Sequence, residues 1–421
     1  MHRMPNEILR IIFYLTTPPP FLLDSSIYRG PQSPWCFTMA TKKVLIRVCR
    51  QWWHVAMPIF YEDVSLRHMT QLAALIRTVE LPNVGIGSLI KRVDVMCYIL
   101  PGDLLLFAIQ LQRLFDRCPN VTRLGYNAIT SPEPSNWICA FQYHATLCSL
   151  YPRLTYFECG ENVDFANLIG VLLKCSSLQS ITCHLRSPDD KPWPTGYETS
   201  KFKVDLPELK ALHCIVMVSG EQYLETIASQ WGIPKLEHLS VLNKSEGNMK
   251  HYYQSFLRAH GHHLKFLHIR PYFFYWNEYI FDLQNLLQHC PVLEHLVIPT
   301  GNSLSLSHPR VTWVDVWAEN GQQSHKVLRD SISTAFSALR GVRVLDSSLI
   351  TVPDLPSMLH PAPFDDGDDF TYEFPGVHIR YFSGTFTNIG NMEVDDGESS
   401  SDGDSAQESS NYTSSYRGDT N

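Results

Sequence analysis

A short pattern that recurs ten times constrains this chain more than anything else in it. An apolar residue, two variable residues and a second apolar residue appear as the pairs Ile90/Val93, Val121/Leu124, Leu154/Phe157, Leu178/Ile181 and Leu209/Leu212. The series continues with Leu236/Leu239, Leu264/Leu267, Leu293/Leu296, Val311/Val314 and Val342/Leu345. First positions run from 90 to 342, so the nine intervals average 28 residues. A short apolar strand returning at that period cannot bury its side chains alone and needs the next unit stacked on it. Between the pairs, apolar residues fall at helical spacing: Leu104, Phe107, Ala108, Leu111, Leu114 and Phe115 share one face. Phe165, Leu168, Ile169, Leu172 and Leu173 repeat this, followed by Tyr223, Leu224, Ile227, Ala228 and Trp231, then Ile280, Leu283, Leu286 and Leu287. The expected fold is α/β: a right-handed solenoid of about ten irregular helix–strand units with a curved parallel sheet on its concave side.

In period and layout, residues 67–350 are similar to leucine-rich repeats. Cys118, Cys175 and Cys290 fall between a helix end and the next strand, at the corner where such repeats pack a small apolar side chain. Cys159, Cys183 and Cys214 fall in or just after strands. The chain has 11 cysteines, an odd number, and no Cys-x-x-Cys pair, which argues against a secreted disulfide framework and against metal ligation. Packed, reduced thiols fit a cytoplasmic and/or nuclear protein. No run reaches the roughly 18 apolar residues of a membrane helix, and the N-terminus lacks a signal-peptide pattern.

Residues 1–66 lie outside the repeat. Met4-Pro5-Asn6-Glu7-Ile8-Leu9 opens a helix, with Ile8, Leu9, Ile12, Phe13 and Leu15 read as one apolar face. Downstream, Val44 to Trp53 carries Val48-Cys49-Arg50-Gln51-Trp52. The pairing of a Pro-x-Glu-Ile-Leu helix with a Val-Cys-Arg-x-Trp helix resembles the F-box, a three-helix module, in its fungal form. Between them, residues 16–43 read as a Pro-rich insertion in which Pro18, Pro19, Pro20, Pro31 and Pro34 exclude a continuous helix. The insertion either packs on the first repeat or obstructs docking. The resemblance implies that the module docks a Skp-type adaptor of a cullin–RING ubiquitin ligase while the solenoid holds a protein substrate. It places adaptor contact among Met4, Pro5, Ile8, Leu9, Val48 and Cys49, and internal packing at Phe13, Leu15 and Trp52. The same residues also suit a cap shielding the first repeat, so a repeat scaffold without a ubiquitin role is the alternative.

Signatures of chemistry are missing. There is no phosphate-binding Gly-rich loop, nucleophile elbow or His-Glu-x-x-His, so no enzyme activity, cofactor or metal is expected. His260, His262 and His263 read as a solvent-facing turn before a strand at 264–269, and the run Asp365, Asp366, Asp368 and Asp369 as a solvated loop. Substrate contact is expected from Tyr272, Phe273, Tyr275 and Trp276, which follow a repeat strand, or from Trp193 in a long segment at 187–204. The aromatic run equally suits packing beneath the next helix.

Charge separates body from tail. The formal charge of -8 comprises -7 in residues 393–421, with eight acidic residues and one Arg, and -1 in the remainder. A nearly neutral body lacks the basic field that binds nucleic acid, so the partners are expected to be proteins. Residues 351–391 are assigned to a C-terminal cap and loops. Residues 392–421, acidic and Ser-rich, are expected to be disordered. Ser399, Ser401 and Ser405 each have an acidic residue three positions on, as acidophilic kinases prefer; a purely solvating tail is the other reading.

Overall fold

The second apolar residue of each repeat sits in a short strand because the residues flanking it are extended and the side chains alternate across the chain. The computed structural model describes residues 4–18, 23, 33–82, 85–130, 150–161, 163, 165–186, 203–217, 220–244, 249–270, 283–299, 306–318 and 336–346. It also describes the backbone of three strands between 370 and 388, and all of these residues belong to one unit, residues 1–389. Eleven parallel strands follow in chain order: β1 (Asp63–Leu66), β2 (Arg92–Val95), β3 (Arg123–Tyr126), β4 (Tyr156–Cys159), β5 (Ser180–Leu185) and β6 (Ala211–Val216). Then come β7 (His238–Asn243), β8 (Phe266–Arg270), β9 (His295–Pro299), β10 (Trp313–Ala318) and β11 (Gly341–Asp346). The sheet ends on β12 (Phe370–Phe374), β13 (Val377–Phe382) and β14 (Thr385–Asn388), with β14 parallel to β11 and β13 antiparallel to both of its neighbours.

Register is the strongest evidence for a stacked, solenoid-like array. Val64, Val93, Leu124, Phe157, Ile181 and Leu212 pair in one continuous line. The line continues through Leu239, Leu267, Leu296, Val314 and Val342. Two boundaries move. The last pair is Leu339/Val342 and not Val342/Leu345, since Val342 stands opposite Val314. At the other end β1 lies inside residues 1–66, because Val64 and Leu66 pack into the long core, so the sheet begins at Asp63.

Three residues before each first apolar position the chain turns a corner. The occupants are Gly87, Cys118, Tyr151, Cys175, Leu206, Ile233, Gly261, Cys290, His308 and Phe336, all buried. The corner carbonyl accepts the N–H three residues on at Cys118, Cys175 and Cys290, at 3.3, 3.3 and 3.1 Å. Corner size varies because each unit closes on the next: a Cβ at Gly87 would collide with the Arg117 carbonyl, one unit along. Burial pushes the thiols of Cys118, Cys175 and Cys290 up to about 12, so they are packing groups and not thiolates.

Helices back the sheet: α4 (Met69–Val79), α5 (Leu104–Arg117), α6 (Phe165–Leu172), α7 (Gln222–Gln230), α8 (Lys250–His260) and α9 (Leu283–Leu287). All six apolar positions read on α5 are buried. Leu173 is exposed because α6 stops before it, and Trp231 has left α7 to begin a two-residue strand pairing with Val204 and Asp205. Ile280 lies outside the described residues. His262 and His263 are exposed in a 3-10 turn before β8, and no helix among the described residues is long and apolar enough to cross a membrane.

Candidate functional site

Three helices precede the sheet: α1 (Asn6–Leu15), α2 (Pro34–Val48) and α3 (Arg50–Glu62). Pro34 starts α2 rather than breaking it. Ser33 caps the helix by accepting the Cys36 N–H, and Pro at the first position has no N–H to leave unsatisfied. The segment between α1 and α2 is therefore 16–33, not 16–43. Cys49, fully extended at φ -162° and ψ 172°, separates α2 from α3, so Val48-Cys49-Arg50 is a junction between two helices.

These helices have a core of their own, made of Leu9, Phe13, Leu45, Val55, Ala56 and Ile59, with Trp52 against Phe13 at 4.9 Å between ring centroids. Leu9 and Phe13 lie about 40° apart around α1, at roughly 100° per residue, and point inward. Ile8, Ile11, Ile12 and Leu15 fall within another sector of about 100° and are exposed, as is Met4 ahead of the helix. The single apolar face read from the sequence is thus two faces. Leu9, at 3% exposure, is a core residue rather than a contact for a partner, and Leu15, at 73%, is not internally packed. Met4, Pro5, Ile8, Val48 and Cys49 are exposed, and Phe37, Val44 and Val48 form a second outward row on α2. Ile11, Phe37 and Val44 were not singled out from sequence; their helical spacing from Ile8 and Val48 was the available signal.

Gln51 ties the first turns of α1 and α3 together, its Nε2 donating to the Met4 carbonyl at 2.7 Å and to Asn6 Oδ1 at 3.0 Å. Glu62 joins this segment to the sheet. It accepts from Tyr14 at 2.9 Å and from Lys91 Nζ at 2.8 Å. Burial alone would raise the Glu62 carboxyl, but those two hydrogen bonds and the Lys91 charge hold it below the usual range.

On the sheet face away from the helices, Arg92 Nε reaches both oxygens of Asp94 at 2.9 and 3.0 Å and lies over the Tyr156 ring. Tyr156 and Asn127 donate to Glu158 at 2.9 and 3.0 Å. Burial pushes Asp94 up to about 6 despite Arg92, and a Cβ at Gly125 would collide with its carboxylate. Toward the other end, Asp315 is fully buried between His295 Nε2 at 2.8 Å and the donating Trp313 indole at 3.0 Å. Trp317 donates to His268 Nε2 at 3.1 Å, which puts the proton of a neutral His268 on Nδ1, facing Ser240 at 3.1 Å. These networks link strands that are adjacent or one apart in the sheet. Among the described residues no group of His, Cys, Asp and Glu is arranged to hold a metal ion. Trp193, Tyr272, Phe273, Tyr275, Trp276, Ser399, Ser401 and Ser405 lie outside the described residues, as do Asp365, Asp366, Asp368 and Asp369.

No family model matches the chain, and no curated protein matches it. Among solved structures it is similar to the crystal structure of the Rad7 and Elc1 complex in yeast, with 13% identity, 81% of this chain and 88% of that chain covered, and a TM-score of 0.36. Likeness at that level carries no weight for fold or function.

Proposed function

We propose that this chain is a substrate-recognition subunit of a cullin–RING ubiquitin ligase of the F-box type. In this reading α1 to α3 dock a Skp-type adaptor, and a leucine-rich-repeat solenoid holds a target protein. The observation that carries it is α1, a ten-residue helix that is apolar on two sides and packs only one of them within the three-helix core. An apolar row left on the surface of a helix is interface material. Pro5, Ile8 and Val48 are exposed while Phe13 is internal, which agrees with the roles the F-box resemblance implies.

The subunit performs no chemistry of its own and works in the cytoplasm or nucleus. It raises the effective concentration of a bound target near the transferase. Affinity purification from native cells is expected to retain a Skp-type adaptor, and Ile8→Glu combined with Val48→Glu to abolish retention while the far-ultraviolet spectrum and melting behaviour stay unchanged. Adaptor binding that survives in the folded double variant would remove these residues from the interface. Purification that retains no adaptor at all would remove the function.

A further inference from the structure

Between α2 and the start of the sheet lies a cleft of about 490 Å³ that the adaptor reading does not use. Its size is that of pockets that take small organic ligands. Helix α2 contributes Trp35, Thr38, Met39 and Lys42, spaced i, i+3, i+4 and i+7, so one helical face lines the cleft. Asp63 and Arg123 line the opposite side.

Two polar groups in this wall are unusual. Thr38 is 3% exposed, yet its Oγ1 has no hydrogen-bond partner among the described residues. A helical threonine normally returns its hydroxyl to a carbonyl one turn back. One turn further along, Lys42 is half-buried and forms no ion pair among the described residues, and its burial disfavours the charged amine although Asp63 and Glu62 oppose that effect. The remaining lining charges are largely committed. Glu62 is held by Lys91 at 2.8 Å and Asp94 by Arg92 at 2.9 Å. That leaves Lys42 and Arg123 against Asp63, a positive balance beside the apolar surfaces of Trp35, Met39 and Ile59.

We infer that this cleft binds a small organic anion with an apolar body, its anionic head on Lys42 and the Thr38 hydroxyl and its body against Trp35, Met39 and Ile59. A neutral ligand would leave the half-buried ammonium with no ion-pair partner, Asp63 and Glu62 acting on it only from beyond contact, and a bare inorganic anion would leave the apolar wall unused. The inference is independent of adaptor docking, since the groups that would hold the ligand, Lys42, Thr38, Trp35, Met39 and Ile59, are none of the adaptor contacts; Leu15 of the outer α1 row lines the cleft but takes no part in binding.

The test uses the full-length chain without any adaptor. Hydrocinnamate, a phenyl ring on a short carboxylate tail, is titrated by calorimetry beside its neutral amide and inorganic phosphate. Saturable one-site binding of hydrocinnamate is expected, with the amide at least about tenfold weaker and phosphate unable to displace the acid. Lys42→Met should weaken the acid by about ten- to a hundredfold, the size of a lost charge-assisted hydrogen bond, and leave the amide unaffected. Thr38→Val should weaken it less, about three- to tenfold. Neither unliganded variant should melt below the parent, because the Thr38 hydroxyl is buried with no hydrogen-bond partner and Lys42 is half-buried with no ion pair among the described residues. Acid and amide binding equally well, acid binding unchanged by Lys42→Met and Thr38→Val, or no saturable binding of the acid would each overturn the inference.

Discussion

In the three-helix segment, six buried side chains from three helices meet in a core of their own, whereas in the solenoid each strand adds one rung to a single core running from Leu66 to Val342. The first core is closed and small, and the apolar residues it cannot accommodate stay outside on α1 and α2. The second is open-ended. It grows by repetition, and each unit hides its neighbour's face. Surplus apolar surface thus differs in extent between the two regions: in the stacked array the next unit consumes most of it, with Leu105, Leu106 and Ile109 on α5 left exposed, while in the closed bundle rows on both α1 and α2 are left for a partner.

The largest effect should come from attacking the small core. Phe13 has no exposed surface, so Phe13→Ala removes a ring from a cluster with few other members and should cost about 3–5 kcal/mol. Amide exchange followed by mass spectrometry should then show α1 to α3 losing protection while β5 to β8 keep theirs. Leu239→Ala, in the middle of the rung line, should cost about 2–5 kcal/mol and lower protection across several neighbouring strands. If Phe13→Ala deprotects the sheet as much as it deprotects α1 to α3, the two cores are one cooperative unit and the contrast fails.

Acid provides a second way to separate the regions. His184, on β5, is driven down to about 4 chiefly by burial, with Glu161 opposing and Lys244 adding to the shift. Its folded value lies below its ordinary 6.5. The neutral form's contribution is therefore complete above pH 6.5 and lost as pH falls toward 4, at most about 3 kcal/mol. Asp94 works in the opposite direction, because a carboxyl raised to about 6 gains stability on protonation over much of the same range. The informative quantity is thus the difference between His184→Gln and the parent. The variant should gain on the parent steadily from pH 6.5 down to 4 in denaturant titrations followed at the sheet. His184 lies on the sheet and outside the three-helix core, so exchange in α1 to α3 should show no such gain. A constant difference across that range would mean that His184 is not buried as a neutral group.

The sequence reading succeeded where one period controls the outcome. Ten second-position apolar residues were assigned from spacing alone, and nine of them stand on the rung line. The tenth slipped because Leu339, Val342 and Leu345 offer two apolar frames, and only pairing with Val314 chooses between them. The covered face was read correctly on α5, although Leu105, Leu106 and Ile109 stay exposed on its other side, and misread on α1: amphipathic periodicity finds a face but cannot say which of two is covered. The start of α2 was missed because a proline in a Pro-rich stretch reads as a breaker, although Ser33 before Pro34 is also a cap followed by a first helical position. The cleft beside Lys42 was invisible for a different reason. It depends on contacts such as Tyr14 to Glu62 and Glu62 to Lys91, between segments that no local pattern brings together.

The smallest stability effect should come from the substitutions with the largest effect on partner binding. Ile8 and Val48 are each about half exposed and belong to neither core. Exposed helical positions away from caps and buried groups usually shift stability by no more than about 0.5 kcal/mol. Glu at position 8 also falls in the first turn of α1, where negative charge suits the helix dipole, so Ile8→Glu should be close to neutral. At position 48 the same charge sits in the last turn of α2, against the dipole, and Val48→Glu should be the costlier of the two. Thermal melts of the two single variants would check both the size and this order. A loss from Ile8→Glu as large as that from Phe13→Ala would mean that the outer face of α1 is already covered within the chain. In that case the apolar row on the outside of the bundle would not be free for a partner.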